Sequence, residues 1–240
     1  MFVPEDSMVK VILWDIDGTL LDFIASEKCA IRKCLSIFGI GDVSDEQLTR
    51  YSKINQKYWG FLEKGVLTKP EVLRGRFEEF FALENISFSD IDAFNAEYQV
   101  RLGDEVFFNE GAFETVTRLK GRVLQFAVTN GTATAQDMKL KKSGLDKIFD
   151  GIFISDKIGA EKPTNAFFEQ VWKTVGRFSD REAMIVGDSL TSDIQGGNNA
   201  GILCCWYNPK GKPMPSDLRV DYQISSIPQI EQVLVSEGGF

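Results

Sequence analysis

At 240 residues with 43% hydrophobic side chains, the chain has room for one large α/β domain and a smaller insert, and its composition is that of a globular protein. Its 35 acidic residues outnumber 27 basic ones for a net charge of −8, and the basic residues are scattered, which argues against a nucleic-acid polymer as partner. Histidine is absent, so acid–base work falls to carboxylate, lysine, tyrosine or cysteine, and a metal site would be built mainly from oxygen, favouring magnesium over zinc.

The opening MFVPEDSMVK is acidic and contains proline, which fits neither a secretory signal nor a membrane span, so a cytoplasmic protein is expected. Residues 9–14, Val-Lys-Val-Ile-Leu-Trp, form a largely apolar, β-branched run of the kind buried on both faces of a parallel sheet. Asp15-Ile16-Asp17-Gly18-Thr19 follows, at the strand end where such sheets bind ligands. Two close carboxylates need a cation, a proton or hydrogen bonds to compensate them, and magnesium would supply the charge. For this motif alone, an acidic Asx-Gly turn is the alternative.

From about residue 23 to 103 the pattern is helical, with no convincing buried strand. The segments 23–40, 44–65, 68–83 and 88–103 read as four helices, with Ser44, Thr68 and Ser89 as N-caps. The aromatic residues of this insert, Tyr51, Tyr58, Trp59, Phe61, Phe77, Phe80 and Phe81, recur at helical spacing and read mainly as core, with a base-stacking surface as the alternative. Cys29, Cys34, Cys204 and Cys205 have neither CxxC spacing nor a disulfide-rich scaffold around them and read as reduced thiols.

Beyond the insert, strand candidates at 123–129, 151–155, 183–187 and 202–207 alternate with helices at about 111–120, 132–143, 164–176 and 190–200. Gly144 and Gly201 offer left-handed stops after two of those helices. The alternation implies right-handed crossovers and a Rossmann-like parallel sheet carrying an inserted all-helical cap. The expected division is a core of residues 1–21 and 106–240 and a cap of 22–105.

Three further segments bear on chemistry. Val128-Thr129-Asn130-Gly131-Thr132 ends a strand and opens a helix, so hydroxyl, amide and backbone N–H groups can converge on an anion, although Thr129 and Asn130 would equally serve as helix caps. Lys162, in Gly159-Ala160-Glu161-Lys162-Pro163, offers an ammonium before the next helix, or a solvated surface charge. Asp188 stands at a strand tip with Asp193 about one helical turn later, where both can face one metal or offset a helix dipole.

These four segments, in this order at strand ends, resemble the haloacid dehalogenase superfamily of phosphotransferases, with the insert where one subgroup carries its cap. The resemblance implies Asp15 as nucleophile, Asp17 as general acid/base, and Thr129, Asn130 and Lys162 as phosphate-binding residues. It also implies Mg2+ held by Asp15, the Asp17 carbonyl and Asp188, with Asp193 supporting the metal from behind. Asp17 sets the chain apart from the halide-releasing members, which need no acid. The stretch after Asp193, Ile194-Gln195-Gly196-Gly197-Asn198-Asn199-Ala200-Gly201 and then Cys205-Trp206-Tyr207-Asn208-Pro209-Lys210-Gly211-Lys212-Pro213, resembles the pyrimidine 5′-nucleotidase subgroup. That similarity implies a Mg2+-dependent phosphomonoester hydrolase working through an aspartyl-phosphate on nucleoside monophosphates. The alternatives are a sugar-phosphate or phosphoglycolate phosphatase, a β-phosphoglucomutase-like phosphomutase, or a phosphate-sensing domain without activity.

Overall fold

A computed structural model describes residues 9–238; the reading of MFVPEDSMVK therefore lies almost wholly outside the described residues. Six parallel strands form one sheet: β1 (Val11–Trp14), β2 (Leu124–Thr129), β3 (Gly151–Ile154), β4 (Ala183–Gly187), β5 (Leu203–Tyr207) and β6 (Tyr222–Ile224), in the order β3-β2-β1-β4-β5-β6. The order reverses on either side of β1, which opens a crevice at the carboxyl ends of β1, β2 and β4. β1, β4 and β5 are buried along their full length, as their unbroken apolar sequences require.

The chain divides into two compact units. One holds the described residues through Asp22, Phe108–Ala133 and the chain from Leu140 onward; the other holds Phe23–Phe107 and Thr134–Lys139. In the first, Val11, Leu13, Val128, Ile185 and Cys204 of the sheet pack with Phe167, Phe168 and Val171 of a helix. The second contains α1 (Phe23–Ile37), α2 (Asp45–Glu63), α3 (Lys69–Leu83) and α4 (Ile91–Arg101). Its core includes Leu35, Tyr51, Phe77, Phe80, Phe94 and Tyr98.

Ser44 caps α2 in a capping box with Gln47, and Thr68 opens α3 in one with Glu71. The cap of α4 is Asp90 rather than the expected Ser89, because the Asp90 carboxylate reaches the Ala93 N–H at 3.0 Å. Of the aromatic residues in the insert, Tyr51, Phe77, Phe80 and Phe81 are buried, while Tyr58, Trp59 and Phe61 are half-buried. All four cysteines are free thiols.

The remaining helices are α5 (Ala112–Leu119), α6 (Ala133–Ser143), α7 (Ser155–Ile158), α8 (Asn165–Val175), α9 (Gln195–Ala200) and α10 (Ile230–Ser236). Gly201 ends α9 in the left-handed conformation, and Gly144 takes the same conformation just after α6. Among the described residues no helix is long and apolar enough to cross a membrane.

Candidate active site

Lys162, in the loop before α8, is 1% exposed, and its ammonium makes three bonds. Nζ donates to Asp15 Oδ1 at 2.8 Å, to Asp193 Oδ1 at 2.7 Å and to the Val128 carbonyl at 2.8 Å, which uses all three of its protons. The loop is held by Asn130, whose side chain accepts the Lys162 N–H and donates to the Lys162 carbonyl, each at 2.8 Å. Asn130 therefore works on the backbone of the lysine. Thr129, at the end of β2, is buried, and its hydroxyl accepts the Gly131 N–H at 3.2 Å.

Asp15 leaves β1 one residue past the strand, its N–H still paired to the Val186 carbonyl at 2.9 Å. Its second oxygen is fixed by Thr19, whose hydroxyl donates to Oδ2 at 2.9 Å and accepts the Asp188 N–H at 3.1 Å. Thr19 thus ties the tips of β1 and β4 together. It stands inside the sequence motif, yet its residue type did not distinguish this bridge from a turn role. Asp17 is half-buried two residues beyond Asp15 and is bridged through its backbone to Leu21.

The segment after Asp188 is a wide, π-helical turn, Leu190–Ile194, in which the Ser189 carbonyl accepts N–H groups from both Asp193 and Ile194. Asp193 is thereby turned inward to 1% exposure, with Oδ2 accepting the Ser189 N–H at 3.1 Å while Oδ1 holds Lys162. Two glycines make room. A Cβ on Gly187 would overlap the Asp193 carboxylate, and one on Gly18, at φ +97°, would come within 2.8 Å of Asp188 Oδ1.

Burial raises the Asp15 carboxyl to about 7, with further upward pressure from Asp193, against the opposing pull of Lys162. Burial likewise raises Asp193 to about 6, the neighbouring Lys162 again opposing it. For Lys162 burial acts downward, but the two carboxylates outweigh it and hold the ammonium well above its ordinary range. Asp15, Asp188 and Asp193 each offer a carboxylate oxygen, all within 4.8 Å of one another. Three carboxylates cluster beside one ammonium, which pairs with Asp15 and Asp193, so negative groups outnumber it, and the donors are hard oxygens. Those residues fit a small divalent cation. The sequence-derived residues Asp15, Lys162, Asp188 and Asp193 are brought together, and Asn130 joins them through Lys162.

Residues 12–207 match the family described as haloacid dehalogenase-like hydrolase. The HAD-hydrolase YfnB of Bacillus subtilis is 32% identical over 94% of this chain and 95% of its own. Its crystal structure, described as bound to magnesium and as revealing interdomain movement, superposes with a TM-score of 0.88 over 95% of this chain and 99% of that one. Pyrimidine 5′-nucleotidase PynA of Streptococcus pneumoniae is 34% identical over 90% of this chain and 91% of its own. Pyrimidine 5′-nucleotidase YjjG of Escherichia coli is 26% identical over 93% and 96%.

Proposed function

Because the chain belongs to the haloacid dehalogenase-like hydrolase family, we propose that it is a Mg2+-dependent phosphatase releasing phosphate from nucleoside monophosphates, pyrimidine ones foremost. The observation that carries this is the buried Asp15–Lys162–Asp193 arrangement beside Asp188 at the carboxyl edge of the sheet, in a chain similar over most of its length to two pyrimidine 5′-nucleotidases.

In this mechanism Asp15 attacks phosphorus in line; a carboxylate oxygen forms the new P–O bond while the bond to the leaving oxygen breaks. Asp17 gives its proton to that departing oxygen. It then takes one from the water that attacks the aspartyl-phosphate, returning Asp15 and releasing phosphate. Thr19 and Lys162 hold the two Asp15 oxygens, which fixes the carboxylate for attack. The Lys162 ammonium, with the N–H groups following Thr129, faces the charge that spreads over the phosphoryl oxygens. Mg2+ held by Asp15, the Asp17 carbonyl and Asp188 would supply charge neutralisation of the phosphoryl group, with Asp193 supporting the site through Lys162.

The test is phosphate release by the purified protein over nucleoside monophosphates and sugar phosphates, with Mg2+ and with EDTA. Selective, metal-dependent release from pyrimidine monophosphates is expected. Preference for sugar phosphates would move the assignment to a sugar-phosphate phosphatase, and isomerised product without free phosphate would move it to a mutase. Asp15→Asn should abolish turnover, and Asp17→Asn should lower it by roughly 10²- to 10⁴-fold. Wild-type rates in purified Asp15→Asn would remove the nucleophile assignment.

A further inference from the structure

The stretch from Trp206 to Asn208 contributes nothing to the chemistry above, yet one of its side chains reaches the site. Trp206 lies on β5 opposite Gly187 of β4 and is 1% exposed. Its indole Nε1–H does not end in the core; it donates to the Asp188 carbonyl at 3.1 Å. β4 ends at Gly187, so Asp188 lies beyond the strand that fixes the residues before it. Its backbone is instead gripped on both sides by side chains. Thr19 accepts the N–H at 3.1 Å and Trp206 donates to the C=O. The carboxylate lies over the bare Cα of Gly18, where a Cβ would approach Oδ1 to 2.8 Å.

We propose that Trp206 is a positioning residue for the metal site: its indole N–H fixes the Asp188 peptide and so aims the Asp188 carboxylate at the cation. This rests on the Mg2+ reading above. A ligand carboxylate on an unanchored strand tip would have to be ordered on each binding event, and outer partners that orient ligands are commonly worth ~10- to 100-fold in metal affinity. Asp188 is joined to Asp15 through Thr19, so the same anchor keeps two carboxylates in register.

The alternative is that the indole is core filling and its N–H merely takes a nearby acceptor. Trp206→Phe separates the two, because phenylalanine keeps an aromatic ring in the core and loses only the donor. Mg2+ titrated calorimetrically into the full-length protein should bind at least ~10-fold more weakly to the variant, while kcat at saturating Mg2+ stays within about twofold. Equal Mg2+ affinity in a folded variant would overturn the proposal while leaving the magnesium reading intact. Absence of Mg2+ binding by the wild type would overturn both. Should the phenylalanine variant fold poorly, the indole N–H resonances of the wild-type protein serve instead. The Trp206 resonance should shift on Mg2+ addition while that of Trp172, on α8, stays put; an unmoved Trp206 signal would overturn the proposal.

Discussion

Lys162 carries its charge in a place where a lysine would normally lose it. Burial alone pushes an ammonium toward neutrality, but Asp15 and Asp193 stand at 2.8 and 2.7 Å and reverse the balance. The lysine in turn holds down two carboxyls that burial has raised to about 7 and about 6. Lys162→Met keeps the stem's volume and removes the charge, leaving two carboxylates facing each other. Without the lowering pull of Lys162 both would hold protons to still higher pH than in the folded wild type, while the two unfolded chains ionise alike. A carboxyl with a raised folded pKa contributes stability at low pH that is lost as pH rises. The variant's deficit in EDTA should therefore be small near pH 5 and grow toward about 3 kcal/mol near pH 8. Urea titrations at the two pH values measure it, and a pH-independent deficit would contradict the ion-pair account. Phosphatase activity should be lost throughout, because the charge that pairs with Asp15 and faces the phosphoryl group is gone.

Within the helical unit, α1, α2 and α3 are joined by a polar chain as well as by aromatic packing. Glu27 of α1 accepts from Ser52 and, at 2.7 Å, from Asn55 of α2. Asn55 accepts from Arg76 of α3 at 2.8 Å, and Arg76 also donates to Asn95 of α4 at 2.9 Å. Burial raises the Glu27 carboxyl to about 7, against the pull of its hydrogen bonds and of Arg76 and Lys139. The unfolded chain would ionise Glu27 near 4.5, so its contribution to stability is complete below that pH and falls away as pH rises to about 7. Glu27→Gln has no such dependence. The stability of the variant relative to wild type should shift in its favour by up to about 3 kcal/mol between pH 4.5 and pH 7, read from denaturation midpoints.

Legibility followed the same division between long patterns and local geometry. The strands β1 to β5 and the four helices of the insert were legible because burial on both faces and 3.6-residue periodicity leave long signals. β6, three residues long with only Ile224 buried, left none. Asp193 was legible as a carboxylate one turn after Asp188, but its inward aim toward Lys162 depends on a π-helical turn that ordinary helical spacing does not encode. Asn130 reads in the sequence as an amide that could face an anion or cap a helix, whereas its bonds to the Lys162 backbone arise only when two distant loops meet. Trp206 appeared in the sequence as subgroup resemblance, and its bond to the Asp188 carbonyl needed the β4–β5 register to emerge.

At the scale of the whole molecule, the site's charge deficit links metal binding to folding. Without a cation, Asp15 and Asp193 resist ionisation in the folded protein at pH values where the unfolded chain, with an ordinary carboxyl near 3.8, has already lost those protons. Their contribution to stability is therefore full below about pH 4 and declines until both have ionised, near pH 7. A divalent cation bound there would reverse the sign, because it would take the ionised carboxylates as ligands and release the protons they held. Mg2+ at a fixed concentration, a hundred times its Kd at pH 8, should add about 2.7 kcal/mol there, and the same concentration should add least near pH 5, where the carboxyls hold their protons. Glu27 contributes a decline of the same direction, but in the helical unit and in both buffers, so the difference between melting curves in Mg2+ and in EDTA isolates the site. Melting curves recorded in both buffers over that range, for the wild type and for Asp188→Asn, provide the measurement. The Mg2+ increment should rise with pH in the wild type and collapse in the variant. An increment that is constant with pH would mean that the buried carboxyls are not the groups the metal displaces protons from.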